Sequence, residues 1–192
     1  MTTLNQPRLS ALVEARYSPR AFAPTALPDG YAALLLEAAR RAPSGGNAQP
    51  WRFVYAEKTR HPEVFDKLAE TLTGNNRIWA PTAPMLVAAF AQDLNAEGKP
   101  IGSARYDCGA ALAWLTVQAQ ELGLYVHQMG GFDRQNLVEA FAVPQGFVPV
   151  TISAVGYLGH PDSLPEDLRE RELSRTGRKP LAEIAFTGSF NS

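Results

Sequence analysis

The sequence predicts an α+β fold in which a sheet lies between helical layers, and three observations lead to it. Stretches with helical spacing and stretches with strand character are intermixed along the chain without a regular βαβ repeat. Pro and Gly punctuate it at fairly even intervals, with no internal repeat or low-complexity segment. The 192 residues, 45% hydrophobic and 19% charged, suit one domain, 1–192, with a single substantial core.

The elements follow in order. Pro28 suits a first helical turn, and Tyr31, Leu34, Leu35, Ala38 and Ala39 recur at helical spacing until Pro43 ends the run. Trp51 to Ala56 is aromatic and β-branched, as in a strand, and Pro84 to Phe90 is a second, wholly apolar one. Between them a helix is predicted over Pro62 to Leu72, followed by the polar turn TGNN at 73–76. From Ser103 to Leu122 the residues Ala110, Ala111, Trp114, Val117 and Leu122 fall mostly on one face, with Gly123 as the stop, which predicts the longest and most central helix. Leu124 to His127 reads as a short strand, and Asp133 caps a helix running to Phe141. Val148, Val150, Ile152 and Ala154 alternate with Pro149, Thr151 and Ser153, as in a strand with two unlike faces. After Pro161 the chain is polar and charged, then ends in the apolar and aromatic segment from Leu181 to Phe190, which suits an extended tail lying across another surface.

Composition removes several functions. Eighteen Lys and Arg balance nineteen Asp and Glu, so no global field gathers nucleic acid or an acidic membrane. The first ten residues lack the apolar core of a secretory signal, and the longest apolar run, Met85 to Ala91, is far short of the roughly 20 residues that span a bilayer, which points to the cytoplasm. Cys108 is the only cysteine, and His61, His127 and His160 have no zinc-site spacing, so no metal is expected.

Four stretches carry chemistry. In ARYSPRAF, Arg16, Ser18 and Arg20 place two guanidiniums and a hydroxyl at a spacing of two, which suits a terminal phosphate because the planar arginine fork donates paired hydrogen bonds. Taken alone, a solvated basic turn is the preferred explanation of them. In APSGGNAQPWRF, the glycines allow close approach to a flat ligand, while Asn47 and Gln49 can pair with a heteroaromatic edge; an ordinary helix cap and loop is the alternative. In HQMGGFD, a strand runs into a glycine pair whose backbone N–H groups can stabilise negative charge, or simply turn the chain. Arg175, Arg178 and Lys179 form a late basic cluster that either contacts phosphate or coats the surface.

These four stretches in this order, with NRIWAPTAPMLV and YDCGAALAWLTVQAQELGL between them, resemble the nitroreductase family of FMN enzymes from about Arg16 to Phe186. The resemblance implies a three-layer sandwich, its central sheet mostly antiparallel and flanked by helices. It also implies a homodimer with FMN at the interface and the 181–192 arm wrapped on the partner. It carries the FMN phosphate onto Arg16, Ser18 and Arg20, with Tyr17 in a slot more often basic or histidine, and onto Arg178 and Lys179. It places Pro43, Ser44, Gly45, Asn47 and Gln49 against the ring and ribityl chain, Asn75 at the pyrimidine edge, and Met129, Gly130 and Gly131 beside the cofactor. Gly130 stands where one branch of the family carries a glutamate, a departure on the substrate side.

The activity implied is hydride transfer from NADH or NADPH through flavin N5 to a small electrophile such as a nitroaromatic or a quinone, by a ping-pong cycle, with no protein residue moving the proton. Three other readings share parts of this pattern: an enone reductase or dehalogenase on the same cofactor site, a non-catalytic flavin sensor, and a phosphate-binding module without flavin. Cys108 and the tryptophans Trp51, Trp79 and Trp114 read as packing or interface residues. His127 reads as structural rather than as a flavin contact, and Phe132 as either packing or cavity wall.

Overall fold

A computed structural model describes residues 8–190; the ends of the 1–192 domain, and the last two residues of the expected arm, lie outside the described residues. The architecture is α+β, with one sheet of four antiparallel strands between two layers of helices. The strands are β1 (Trp51–Glu57), β2 (Met85–Gln92), β3 (Tyr125–Met129) and β4 (Phe147–Gly156), in the order β1-β2-β4-β3. The helices are α1 (Ala11–Ala15), α2 (Tyr31–Arg40), α3 (Pro62–Glu70), α4 (Asn76–Trp79), α5 (Ala104–Glu121), α6 (Arg134–Ala140) and α7 (Glu166–Leu173).

Strand β2 is apolar from Met85 to Ala91 because both of its faces are covered there. Leu86, Ala88 and Phe90 meet Phe65, Leu68 and Trp79 on one side, while Met85, Val87 and Ala89 meet Leu112 and Leu115 of α5 on the other. Cys108 sits in that second layer, fully buried, its thiol reaching toward the Phe90 carbonyl at 3.9 Å. Asp133 caps α6 as the sequence predicts, accepting from Asn136 N–H at 3.0 Å. Gly123 ends α5 with φ of 71°, and Leu124 N–H reaches back to the Ala119 carbonyl at 2.8 Å.

Four expectations are corrected. Pro28 lies outside α2, which starts only after Gly30 turns the chain at φ of 82°. The buried face of α5 comprises Asp107, Cys108, Ala111, Leu112, Leu115, Thr116 and Ala119, whereas Trp114 and Val117 are half exposed. This helix is apolar or small nearly all round, so periodicity alone does not select its inward side. Strand β4 does not have two unlike faces: Thr151 and Ser153 are buried like Ile152 and Ala154, and an irregularity opposite Ala89 and Phe90 moves Val148 and Val150 to the α5 side. The charged stretch after Pro161 contains α7, whose Leu168 is fully buried against the Phe22 layer.

Among the described residues, Ser153 Oγ is the buried side-chain polar atom left without a hydrogen-bond partner. A buried hydroxyl that makes no bond costs about 1–3 kcal/mol, so Ser153→Ala is expected to stabilise by about 1 kcal/mol. Thermal unfolding checks it: the midpoint should rise by roughly 2–4 °C, and a fall would mean that the hydroxyl is bonded.

Candidate functional site

The short α1 is capped by Ser10 and ends at Arg16, where the chain becomes extended and runs as Arg16-Tyr17-Ser18-Pro19-Arg20 into a β-bridge between Phe22 and Leu158. Here β3 supplies His127, and α7 with the segment after it supplies Arg171, Glu172, Arg175 and Arg178. Together they line an open cleft of about 640 Å³ in which five arginines face two carboxylates, Glu14 and Glu172. The excess positive charge is local, since the whole chain carries only −1.

Inside the cleft the side chains support one another. Arg16 Nη1 donates to Ser18 Oγ at 3.4 Å. The Arg175 guanidinium lies 3.6 Å over the Tyr17 ring, which meets Tyr125 edge-on at 5.1 Å. Burial pushes the Tyr17 hydroxyl above its ordinary value, against the pull of Arg175, so it stays a neutral phenol. His127 Nδ1 lies 2.8 Å from the Pro19 carbonyl, and Trp79 packs against its ring at 4.4 Å. Burial, more than the nearby Arg20 charge, holds His127 below the usual histidine range despite that bond, which keeps the imidazole neutral with Nδ1 as donor.

Two further groups of the expected residues come together elsewhere. The turn before α4 is stitched to the glycine pair after β3: Thr73 N–H and Asn76 Nδ2 both donate to the Gly131 carbonyl, at 3.1 and 3.0 Å. A Cβ on Gly131 would stand 2.7 Å from Asn76 Nδ2, so a side chain there would push the Asn76 amide aside. Asn75 stands exposed at the start of α4, Gly130 is exposed, and Met129 is buried at the end of β3. The loop of Pro43, Ser44, Gly45, Asn47 and Gln49 lies at the opening of α5, where Gly45 N–H donates to the buried Asp107 at 3.2 Å, Ser103 Oγ donates to the same oxygen at 2.9 Å, and Ser44 Oγ accepts from Gln49 N–H. Asn47 and Gln49 have φ of 56° and 48°, a left-handed conformation that a well-anchored loop can hold.

Thus Arg16, Tyr17, Ser18, Arg20 and Arg178 share the cleft, Asn75 neighbours the Gly131 turn, and the 43–49 loop does not line the cleft. Lys179 is exposed and does not line it either. Sequence reasoning missed Glu172 and Asp107 and set His127 aside. Glu172 stands four residues after the buried Leu168, and that spacing on one helical face is the signal that finds it.

Comparison with known proteins gives a consistent set. The family model described as Nitroreductase family matches residues 13–157. An uncharacterized 15.4 kDa protein of Mycolicibacterium smegmatis is 38% identical over 134 residues, covering 68% of this chain and 86% of its own. A protein of Archaeoglobus fulgidus provisionally named an NADH dehydrogenase/NAD(P)H nitroreductase is 27% identical over 150 residues, covering 76% of this chain and 83% of its own. A crystal structure described as an oxidoreductase containing FMN superposes with a TM-score of 0.89 at 38% identity, over 97% of this chain and 95% of that one.

Proposed function

We propose, from the membership of this chain in the nitroreductase family, that it is a cytoplasmic FMN-dependent oxidoreductase taking hydride from NADH or NADPH and reducing a small electrophile such as a nitroaromatic or a quinone. The observation that carries this reading is the basic cleft, where Arg16, Ser18 and Arg20 from one end of the chain meet Arg175 and Arg178 from the other. That donor set suits a phosphate monoester: forked guanidiniums and a hydroxyl around one concavity.

The phosphate of FMN would be held by Arg16, Ser18, Arg20 and Arg178. Asn75 and the Gly130-Gly131 turn would meet the polar edge of the ring, and the 43–49 loop would approach the ring and ribityl chain. When bound, FMN would supply the two-electron redox chemistry that couples nicotinamide to acceptor, consistent with a ping-pong cycle. The residues bind, orient and exclude water; His127 holds a proton at Nδ1 on the Pro19 carbonyl, where it serves the loop.

A homodimer fits the surface. Tyr106, Trp114 and Val117 project from the outer face of α5, Val13 from the adjoining α1, and Leu181, Ile184 and Phe190 from the tail, all at least 49% exposed. So many large apolar groups on one chain call for a covering partner, and the tail from Leu181 is suited to wrap it. The 43–49 loop lies outside the cleft of its own chain, which supports a site shared between two copies.

The absorbance spectrum of the purified protein, followed by anaerobic NADH or NADPH, tests the reading. Flavin bands that bleach, and return when an acceptor is added, are the expected result. A colourless protein that takes up no added FMN would overturn it.

A further inference from the structure

The carbonyl of Pro19 and the N–H of Arg20 belong to one peptide unit, and both of its ends are engaged by side chains from distant parts of the chain. His127 of β3 donates from Nδ1 to the carbonyl at 2.8 Å, and Glu172 of α7 accepts the N–H at 2.7 Å. A peptide plane has two soft torsions beside it, ψ of Pro19 and φ of Arg20, and fixing both poles fixes both torsions. Pro19 has little freedom of its own, because its ring locks φ. The segment from Ser18 to Arg20, in which Pro19 is buried between two more exposed neighbours, is thereby held in one shape.

We propose that His127 and Glu172 are positioning residues that clamp the Pro19–Arg20 peptide, so that Ser18 and Arg20 present their side chains to a phosphate monoester already oriented. This rests on the reading of the cleft as the phosphate site. The engagement has a second effect: the Arg20 N–H is consumed by Glu172, so Arg20 serves the phosphate through its guanidinium and not through its backbone. Glu172 is buried, its carboxylate bonded in a cleft of arginines, and Leu168 one turn earlier anchors the helix that carries it. The clamp therefore joins the phosphate loop to α7, and the carboxylate sits where it opposes an incoming dianion electrostatically. Position and charge act in opposite directions, which makes them separable.

Glu172→Gln and Glu172→Ala are both uncharged, but only glutamine retains an oxygen for the Arg20 N–H. Dissociation constants for FMN and for riboflavin, which lacks the phosphate, are measured with each apoprotein. The expected result is FMN bound about tenfold more weakly by Glu172→Ala than by Glu172→Gln, with riboflavin bound equally by both. Should the alanine variant fail to fold, His127→Phe keeps a ring against Trp79 while removing the donor, and it should lower the FMN to riboflavin preference relative to wild type. Equal FMN binding by the two Glu172 variants, or an unchanged preference in His127→Phe, overturns the clamp. Wild-type protein that binds riboflavin as tightly as FMN instead overturns the phosphate site itself.

Discussion

Gly159→Ala is expected to lower the thermal midpoint by about 10 °C. Residues 21–23 run beside 157–159, joined by Gly159 N–H to the Ala21 carbonyl at 2.9 Å and Ala23 N–H to the Tyr157 carbonyl at 3.0 Å. A Cβ on Gly159 would stand 2.6 Å from the carbonyl carbon of Phe22 and 2.7 Å from its oxygen. Backbone cannot swing aside as a long side chain can, so the two segments must separate, and Phe22 is drawn from the layer it shares with Trp79 and Leu168. Overpacking of this kind costs about 3 kcal/mol, which for a chain of this length is roughly 6–12 °C. Gly102→Ala is the control, since nothing lies within 4 Å of its Cβ position, and it should leave the midpoint unchanged. A Gly159→Ala protein that melts with wild type would show that the 21–23 segment does not pack there.

Arg20→Ala is expected to weaken FMN binding by about 1.5–3 kcal/mol, roughly 10- to 150-fold, because it removes a charge-assisted contact to a phosphate. The guanidinium lines the cleft, and its backbone is fixed by Glu172, so the side chain is lost without loosening the loop. Riboflavin affinity should be unchanged. Titration of apoprotein with both flavins measures the effect; FMN affinity equal to wild type would remove Arg20 from the site.

The parts of the fold legible in sequence are those where a local rule and the tertiary environment agree. Strand β2 is apolar from Met85 to Ala91 because it is an inner strand, Asp133 caps the helix it stands before, and Gly123 stops α5 by its own torsion. The inward face of α5 was not legible, because the helix presents alanines and large apolar residues in both directions; Trp114 ranks as core by type yet faces outward. Helix α7 was hidden by its charge, since only Leu168 and Glu172 turn inward among eight mostly ionic residues. The irregularity in β4 has no local mark, because it comes from pairing with β2.

The candidate site divides in the same way. Arg16, Ser18 and Arg20 are neighbours in sequence and recognisable by their chemistry, and Arg178 joins them as the basic cluster suggests. Lys179, equally basic and adjacent in sequence, does not line the cleft, so residue type alone does not separate the two. Glu172 is marked in sequence only by its spacing of four from Leu168, which puts it on the inward face; its partner, a backbone N–H of a loop 152 positions away, is set by tertiary structure alone.

The thiol of Cys108 lies where α5 presses on the sheet. Burial pushes its pKa up to about 11, so roughly one molecule in 10⁴ carries a thiolate at neutral pH even if a reagent could arrive. With no second cysteine in the chain, every alkylation event belongs to that one position. Its labelling therefore keeps time for the seam: the thiol is modified only as often as the longest helix lifts away from β2, and the labelling rate becomes a clock for the opening of the core.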